Sequence, residues 1–266
     1  MILKILLFIV VGFGLIFGYI KYLENHSIFF PEKVLSLTPS SLNLSFEDIY
    51  IRIKENIKIN GWFIPFNNAK YTVLFLHGNA GNISTRLDKI QLLGETGVNV
   101  FIIDYQGYGQ SQGKPSEEAI YIDAKAAYDY LVNNRNIKPE QIILYGESLG
   151  VAAAVNLASE VKIKAMILEG GFSRGRDMAK RLYPFLPAFL FPNNFDSLSK
   201  IKKVRAPILF IHSPDDEMVP INLSKKLYNT AQGPKDFVEI TGSHNTAVLD
   251  SSKKFIDSIA AFINKL

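Results

Sequence analysis

The chain has 266 residues, 48% apolar and 20% charged, a balance that excludes disordered and collagen-like classes and a length that suits one large domain. Cysteine is absent, which excludes a disulfide framework, thiolate-bound zinc or iron–sulfur centres and a cysteine nucleophile. A formal net charge of +4 is too small to argue for nucleic acid, and without a nucleic-acid-binding motif none is expected as a partner.

In chain order the first feature is an uncharged run, Ile5 to Ile20, between Lys4 and Lys21. As a helix it spans about 24 Å. Adding Ile2, Leu3, Tyr22 and Leu23, with both lysines snorkelling, brings the span to about 33 Å, enough for a hydrocarbon core of about 30 Å. The stretch Lys21 to His26 lacks the small residues of a signal-peptide cleavage site. Residues 1–23 are therefore expected to be a retained single-pass transmembrane anchor with the lipid bilayer as partner, a cleaved signal being the alternative. Residues 24–45 are expected as a linker and 46–266 as the folded domain. Lys4 on one side balances Lys21 and Lys33 on the other, so the positive-inside rule assigns no orientation.

Next comes a predicted hairpin, Ile49–Ile53 and Ile57–Phe66, turning near Glu55-Asn56. Six short β-branched and aromatic runs of buried-strand type follow: Thr72–Leu76, Val98–Tyr105, Gln141–Tyr145, Ile163–Leu168, Pro207–Ile211 and Phe237–Thr241. Helical patterns separate them at Thr85–Glu95, Glu117–Val132, Val151–Glu160, Leu223–Gln232 and Ser251–Leu266, the last with Phe255, Ile259, Phe262 and Ile263 as its core stripe. Such alternation predicts an α/β fold, a mostly parallel eight-stranded sheet covered by helices on both faces. Chemistry in such sheets sits at the carboxyl ends of the strands.

The strand ending at Tyr145 runs into Gly146-Glu147-Ser148-Leu149-Gly150, and Val151 continues as a helix. This is G-x-S-x-G between strand and helix: the glycines admit a turn too tight for Cβ atoms, Ser148 stands at its apex, and the positive helix end favours a developing anion. A serine needs a positioned base. His26 adjoins the anchor, His77 lies in a Gly-containing loop, and His212 closes a buried strand, whereas His244 lies in a loop after the last strand and is the expected base. An acid must orient that imidazole. Asp215 and Asp216 both follow a strand end, and Glu169 ends another. Two backbone N–H donors should face the reacting oxygen: Leu149, next to the nucleophile, and Asn79, in the loop His77 to Asn82 where Gly78 lets the backbone come close.

Ser148, an aspartate and His244 in this chain order, each after its expected strand, resemble the α/β-hydrolase superfamily over roughly Phe46 to Leu266. The arrangement of its acid loop, with the aspartate four residues before Pro220, implies Asp216 as the acid and a turn role for Asp215. The segment Asp104 to Glu117 is similar to a loop of a membrane-associated serine hydrolase branch containing depalmitoylases and lysophospholipase- or serine aminopeptidase-like enzymes. That loop commonly carries Arg where this chain has Gln106, a departure from the pattern. The absence of a triple glycine after His77 resembles hydrolases that accept medium or long acyl chains. The resemblance also implies that the insertion at about 173–205 is a cap. Residues 172–205 carry eight basic side chains against Asp177 and Asp196, and Tyr183, Phe185 and Phe189 lie in its proline-rich stretch. These three rings are the expected substrate-binding residues. The expected function is membrane-anchored hydrolysis of carboxylic esters or thioesters, on lipid or acylated substrates, through Ser148, His244 and Asp216, with no metal or organic cofactor required. The alternatives are a serine peptidase of the aminopeptidase-like kind on the same fold and a non-catalytic membrane scaffold.

Overall fold

A computed structural model describes residues 28–185, 187 and 193–266, together with Gly12, Gly14 and Gly18. Apart from those three glycines, residues 1–23, expected as the anchor, therefore lie outside the described residues. Among the described residues no helix is long and apolar enough to cross a membrane.

Among the described residues ten strands occur in chain order: β1 (Phe30–Pro31), β2 (Glu47–Lys54), β3 (Ile57–Ile64), β4 (Tyr71–Leu76), β5 (Ala80–Gly81), β6 (Val98–Ile103), β7 (Ile142–Glu147), β8 (Ala165–Glu169), β9 (Ile208–His212) and β10 (Lys235–Glu239). Eight form one sheet in the order β10-β9-β8-β7-β4-β6-β3-β2. The hairpin β2–β3 is antiparallel, as is β3 against β6, and the remaining pairs are parallel. This is the α/β-hydrolase architecture with a mainly parallel sheet. The predicted strands are all present, with bounds displaced by one to a few residues.

The side-chain period of two divides the strand residues between two cores. From β4, Leu74 and Leu76 enter one core while Val73 and Phe75 enter the other. The first core is closed by the helix Gly150–Ala158, every residue of which is buried. The second is closed by Leu87–Glu95 and by Ser252–Asn264, whose Phe255, Ile259 and Phe262 form the predicted stripe.

Two strands escaped the sequence reading. Phe30–Pro31 and Ala80–Gly81 pair in parallel as a separate two-stranded sheet. The first belongs to the segment read as a linker, and its partner belongs to the loop after β4. The pairing is carried by main-chain groups, so neither run shows an alternating apolar pattern.

Candidate active site

The turn after β7 places Ser148 at the point where the sheet meets the helix Gly150–Ala158. Ser148 sits in the left-handed region at φ 50°, a conformation that costs a non-glycine residue on the order of 1–3 kcal/mol. The flanking glycines are obligatory: a Cβ on Gly146 would lie 2.7 Å from the Gly150 carbonyl oxygen, and one on Gly150 would lie 1.9 Å from that of Leu76. The Ser148 N–H donates to the Glu169 carbonyl at 2.8 Å, which pins the turn to the neighbouring strand end.

Loops after β9 and β10 bring two side chains to this serine. His244 Nε2 stands 3.1 Å from Ser148 Oγ, and His244 Nδ1 stands 2.6 Å from Asp216 Oδ2. The other carboxylate oxygen of Asp216 accepts the N–H groups of Val219 at 2.7 Å and Met218 at 3.0 Å. Asp215 faces solvent, so of the two adjacent aspartates only Asp216 meets the imidazole. His212, expected as a buried strand-end histidine, lies beneath Asp216, with Nε2 2.8 Å from the Val219 carbonyl and 3.4 Å from Asp216 Oδ2.

Burial pushes the Asp216 carboxyl up, but hydrogen bonds from His212, His244 and the Val219 N–H outweigh it and hold Asp216 well below the carboxylate range. Burial likewise pushes His244 down. The bond to Asp216, its charge and the carboxylates of Glu169 and Glu147 reverse the balance, so the imidazole lies above its ordinary value of 6.5.

The loop after β4 runs beside the serine: a Cβ on Gly78 would lie 3.5 Å from that of Ser148. Buried His77 faces back along the loop, its Nδ1 2.8 Å from the Gly78 carbonyl oxygen. Because a carbonyl only accepts, Nδ1 carries the proton. Asn79 follows, with its carbonyl held by the Tyr108 hydroxyl at 2.6 Å. On the other side Leu149 caps the helix amino terminus.

Comparisons with known proteins bear on the family and the fold. The family described as "Serine aminopeptidase, S33" matches residues 67–194. The Mycobacterium tuberculosis protein Rv2307c is 32% identical over 91% of this chain and 88% of its own. The Arabidopsis thaliana alpha/beta hydrolase domain-containing protein WAV2 is 34% identical, covering 88% of this chain and 83% of its own. The chain belongs to the α/β-hydrolase superfamily. The fold also matches that of the Pyrococcus furiosus esterase Pf2001, with a TM-score of 0.75 and 21% identity over 90% of this chain and 98% of that one.

Beneath the nucleophile this α/β hydrolase carries a charged cluster that the sequence reading missed. Arg86 Nε donates to Glu147 at 3.2 Å, and Lys89 Nζ reaches Glu147 at 3.2 Å and Glu169 at 2.8 Å. The Tyr145 hydroxyl donates to Glu169. Glu169, the fallback acid, is thereby committed to Lys89 and Tyr145, whereas His244 takes Asp216. Burial pushes the Glu147 carboxyl up, but Arg86 and Lys89 hold it far down, so it stays ionised. The available signal was Arg86 and Lys89 three apart, on one helical face, and Glu147 inside the G-x-S-x-G turn.

Gln106 departs from the arginine of the resembled loop and engages Asp123. Its N–H donates to Asp123 Oδ2 at 2.7 Å and its side-chain amide to Oδ1 at 2.8 Å. Between β8 and β9, in the segment expected as a cap, the helix Gly175–Leu182 leads to Tyr183 and Phe185, whose rings meet edge to face with centroids 6.4 Å apart. Phe185 is exposed, and Phe189 lies outside the described residues.

Proposed function

We propose that the protein is a serine hydrolase that cleaves carboxylic ester or thioester bonds by acyl transfer. One observation carries this reading, the chain of contacts from Ser148 Oγ through both ring nitrogens of His244 to Asp216. Ser148 attacks the substrate carbonyl as its proton passes to His244 Nε2. Asp216, ionised and bonded to Nδ1, stabilises the imidazolium. The N–H groups of Asn79 and Leu149 receive the oxyanion, and each such donor is worth about 2.7–4 kcal/mol of barrier. Collapse of the tetrahedral adduct expels the alcohol or thiol, which takes the proton from His244. Water, deprotonated by His244, then attacks the acyl-Ser148 ester, and the acid leaves with Ser148 restored.

Lipid or acylated substrates fit the uncharged run Ile5–Ile20, which would anchor the enzyme in a bilayer, and the aromatic, basic cap with Tyr183, Phe185 and Phe189. Each Lys or Arg near an anionic surface adds about 1 kcal/mol of attraction. Peptide hydrolysis is the second reading, favoured by the description of the matching family. It is opposed by the cap's basic charge, since aminopeptidases bind a substrate ammonium through acids.

A fluorophosphonate probe should label the wild-type protein and not Ser148→Ala, and absence of labelling in both would end the hydrolase reading. Faster turnover of acyl nitrophenyl esters than of aminoacyl anilides is expected, and the reverse order would favour the peptidase. For the protein lacking residues 1–23, liposome binding that ignores both anionic lipid and salt would remove the membrane contact of the cap.

A further inference from the structure

We propose that the segment Ile28–Val34 is a strap that positions the Asn79 N–H for the oxyanion through the strap's own main-chain groups rather than its side chains; this rests on the hydrolase reading above. The Phe30 N–H donates to the Asn79 carbonyl at 2.9 Å, and the Glu32 N–H donates to that of Gly81 at 3.0 Å. In return the Asn79 side-chain amide donates to the Ile28 carbonyl at 3.0 Å. The Asn82 amide donates to the carbonyls of Glu32 at 3.1 Å and Val34 at 2.8 Å. Glu32 also accepts the Gly109 N–H at 2.8 Å, which ties the strap to the loop after β6.

These bonds matter because of which peptide units they hold. The Asn79 N–H shares its peptide plane with the Gly78 carbonyl, and His77 Nδ1–H already holds that carbonyl. Turning the plane further requires Asn79 to change its own dihedrals. The strap prevents this by holding its side chain and its carbonyl at once. Without the strap the loop would retain His77 and Tyr108, but nothing would close it from the outer side at Ile28 and Phe30. The Phe29 ring extends the contact to the cap, meeting Phe195 edge on with centroids 6.3 Å apart.

The strap's own side chains contribute little at Phe30, which is 51% exposed, or at Val34, which is 78% exposed. The inference therefore separates backbone donors from side chains. Phe30→Pro removes the N–H and should lower kcat and the fluorophosphonate labelling rate at least tenfold, because one misplaced oxyanion donor costs about 10²–10³ in kcat. KM should stay within about threefold of wild type, as should the position of the acid limb of the pH profile, since His244 and Asp216 are untouched. Phe30→Ala keeps the donor and should lose less than threefold. Should Phe30→Pro fail to fold by its thermal transition, Glu32→Pro, which removes the bond to Gly81, is read in the same way. Wild-type kcat in the folded proline variant overturns the strap, and so does an equal loss in Phe30→Ala. Wild-type protein that is not labelled brings down the hydrolase reading and the strap together. Labelling that depends on Ser148 but ignores the proline brings down the strap alone.

Discussion

Two carboxylates, one half-buried and one fully buried, show how differently this molecule treats negative charge. Glu147, beneath the nucleophile, has Arg86 and Lys89 against it and stays ionised despite burial. Asp123, in the helix Glu117–Asp129, accepts the main-chain and side-chain N–H groups of Gln106 from the loop after β6. Burial there prevails over those bonds and pushes Asp123 up from 3.8 to about 6. At Asp123 two bonds from neutral amides do not outweigh desolvation, whereas at Glu147 two cations do. Asp216 belongs with Glu147, because its bonds from His212, His244 and the main chain outweigh its burial.

The largest effect should come from removing compensation at the site itself. Asp216→Asn leaves the side chain's shape but takes away the charge that stabilises the imidazolium, and kcat should fall by about 10⁴. Steady-state kinetics on a nitrophenyl ester would measure it, and a loss below tenfold would detach Asp216 from the mechanism.

Removing compensation under the nucleophile should appear first as lost stability. Lys89→Met leaves Glu147 and Glu169 with fewer counter-charges, and breaking a buried pair this way costs about 3–5 kcal/mol. Denaturant unfolding would read it. The uncompensated carboxylates should also raise the His244 pKa, so the acid limb of kcat/KM should move to higher pH.

The Gln106 region should respond in the opposite sense. Between the unfolded value of 3.8 and the folded value of about 6, the native state holds a proton that the unfolded chain has released. Stability therefore falls as pH rises through that window, by up to about 3 kcal/mol. Gln106→Arg, which supplies the cation of the resembled loop, should lower the Asp123 pKa, flatten that fall and raise the thermal midpoint at pH 7. A slope between pH 4 and 6 as steep as in the wild type would show that the introduced guanidinium does not compensate Asp123, and a flat wild-type slope that Asp123 is already compensated.

The wild-type pH profile gives the smallest and most direct reading. His244 accepts a proton only when neutral, and its pKa lies above 6.5. The acid limb of kcat/KM should therefore reach half-height above pH 6.5. In Asp216→Asn the residual activity should show that limb at lower pH, because the bond and charge that raise His244 are lost.

Much of this was legible from the chain. Short β-branched runs, G-x-S-x-G between strand and helix, and polar loops after later strands follow rules of local geometry. They pointed to the sheet and to Ser148 and His244 before any contact was known. The choice between Asp215 and Asp216 came from resemblance to a family, and folded geometry supplied the contact that separates them. Only tertiary structure could assign Glu169 to Lys89 and Tyr145, set Arg86 and Lys89 against Glu147, and lay Phe30 and Glu32 along Asn79 and Gly81. Local pattern records which face a residue presents and where a turn closes, because those depend on near neighbours in the chain. Charge compensation and main-chain pairing across tens of residues depend on which loops the folded sheet brings side by side, and no residue type along the chain encodes that in advance.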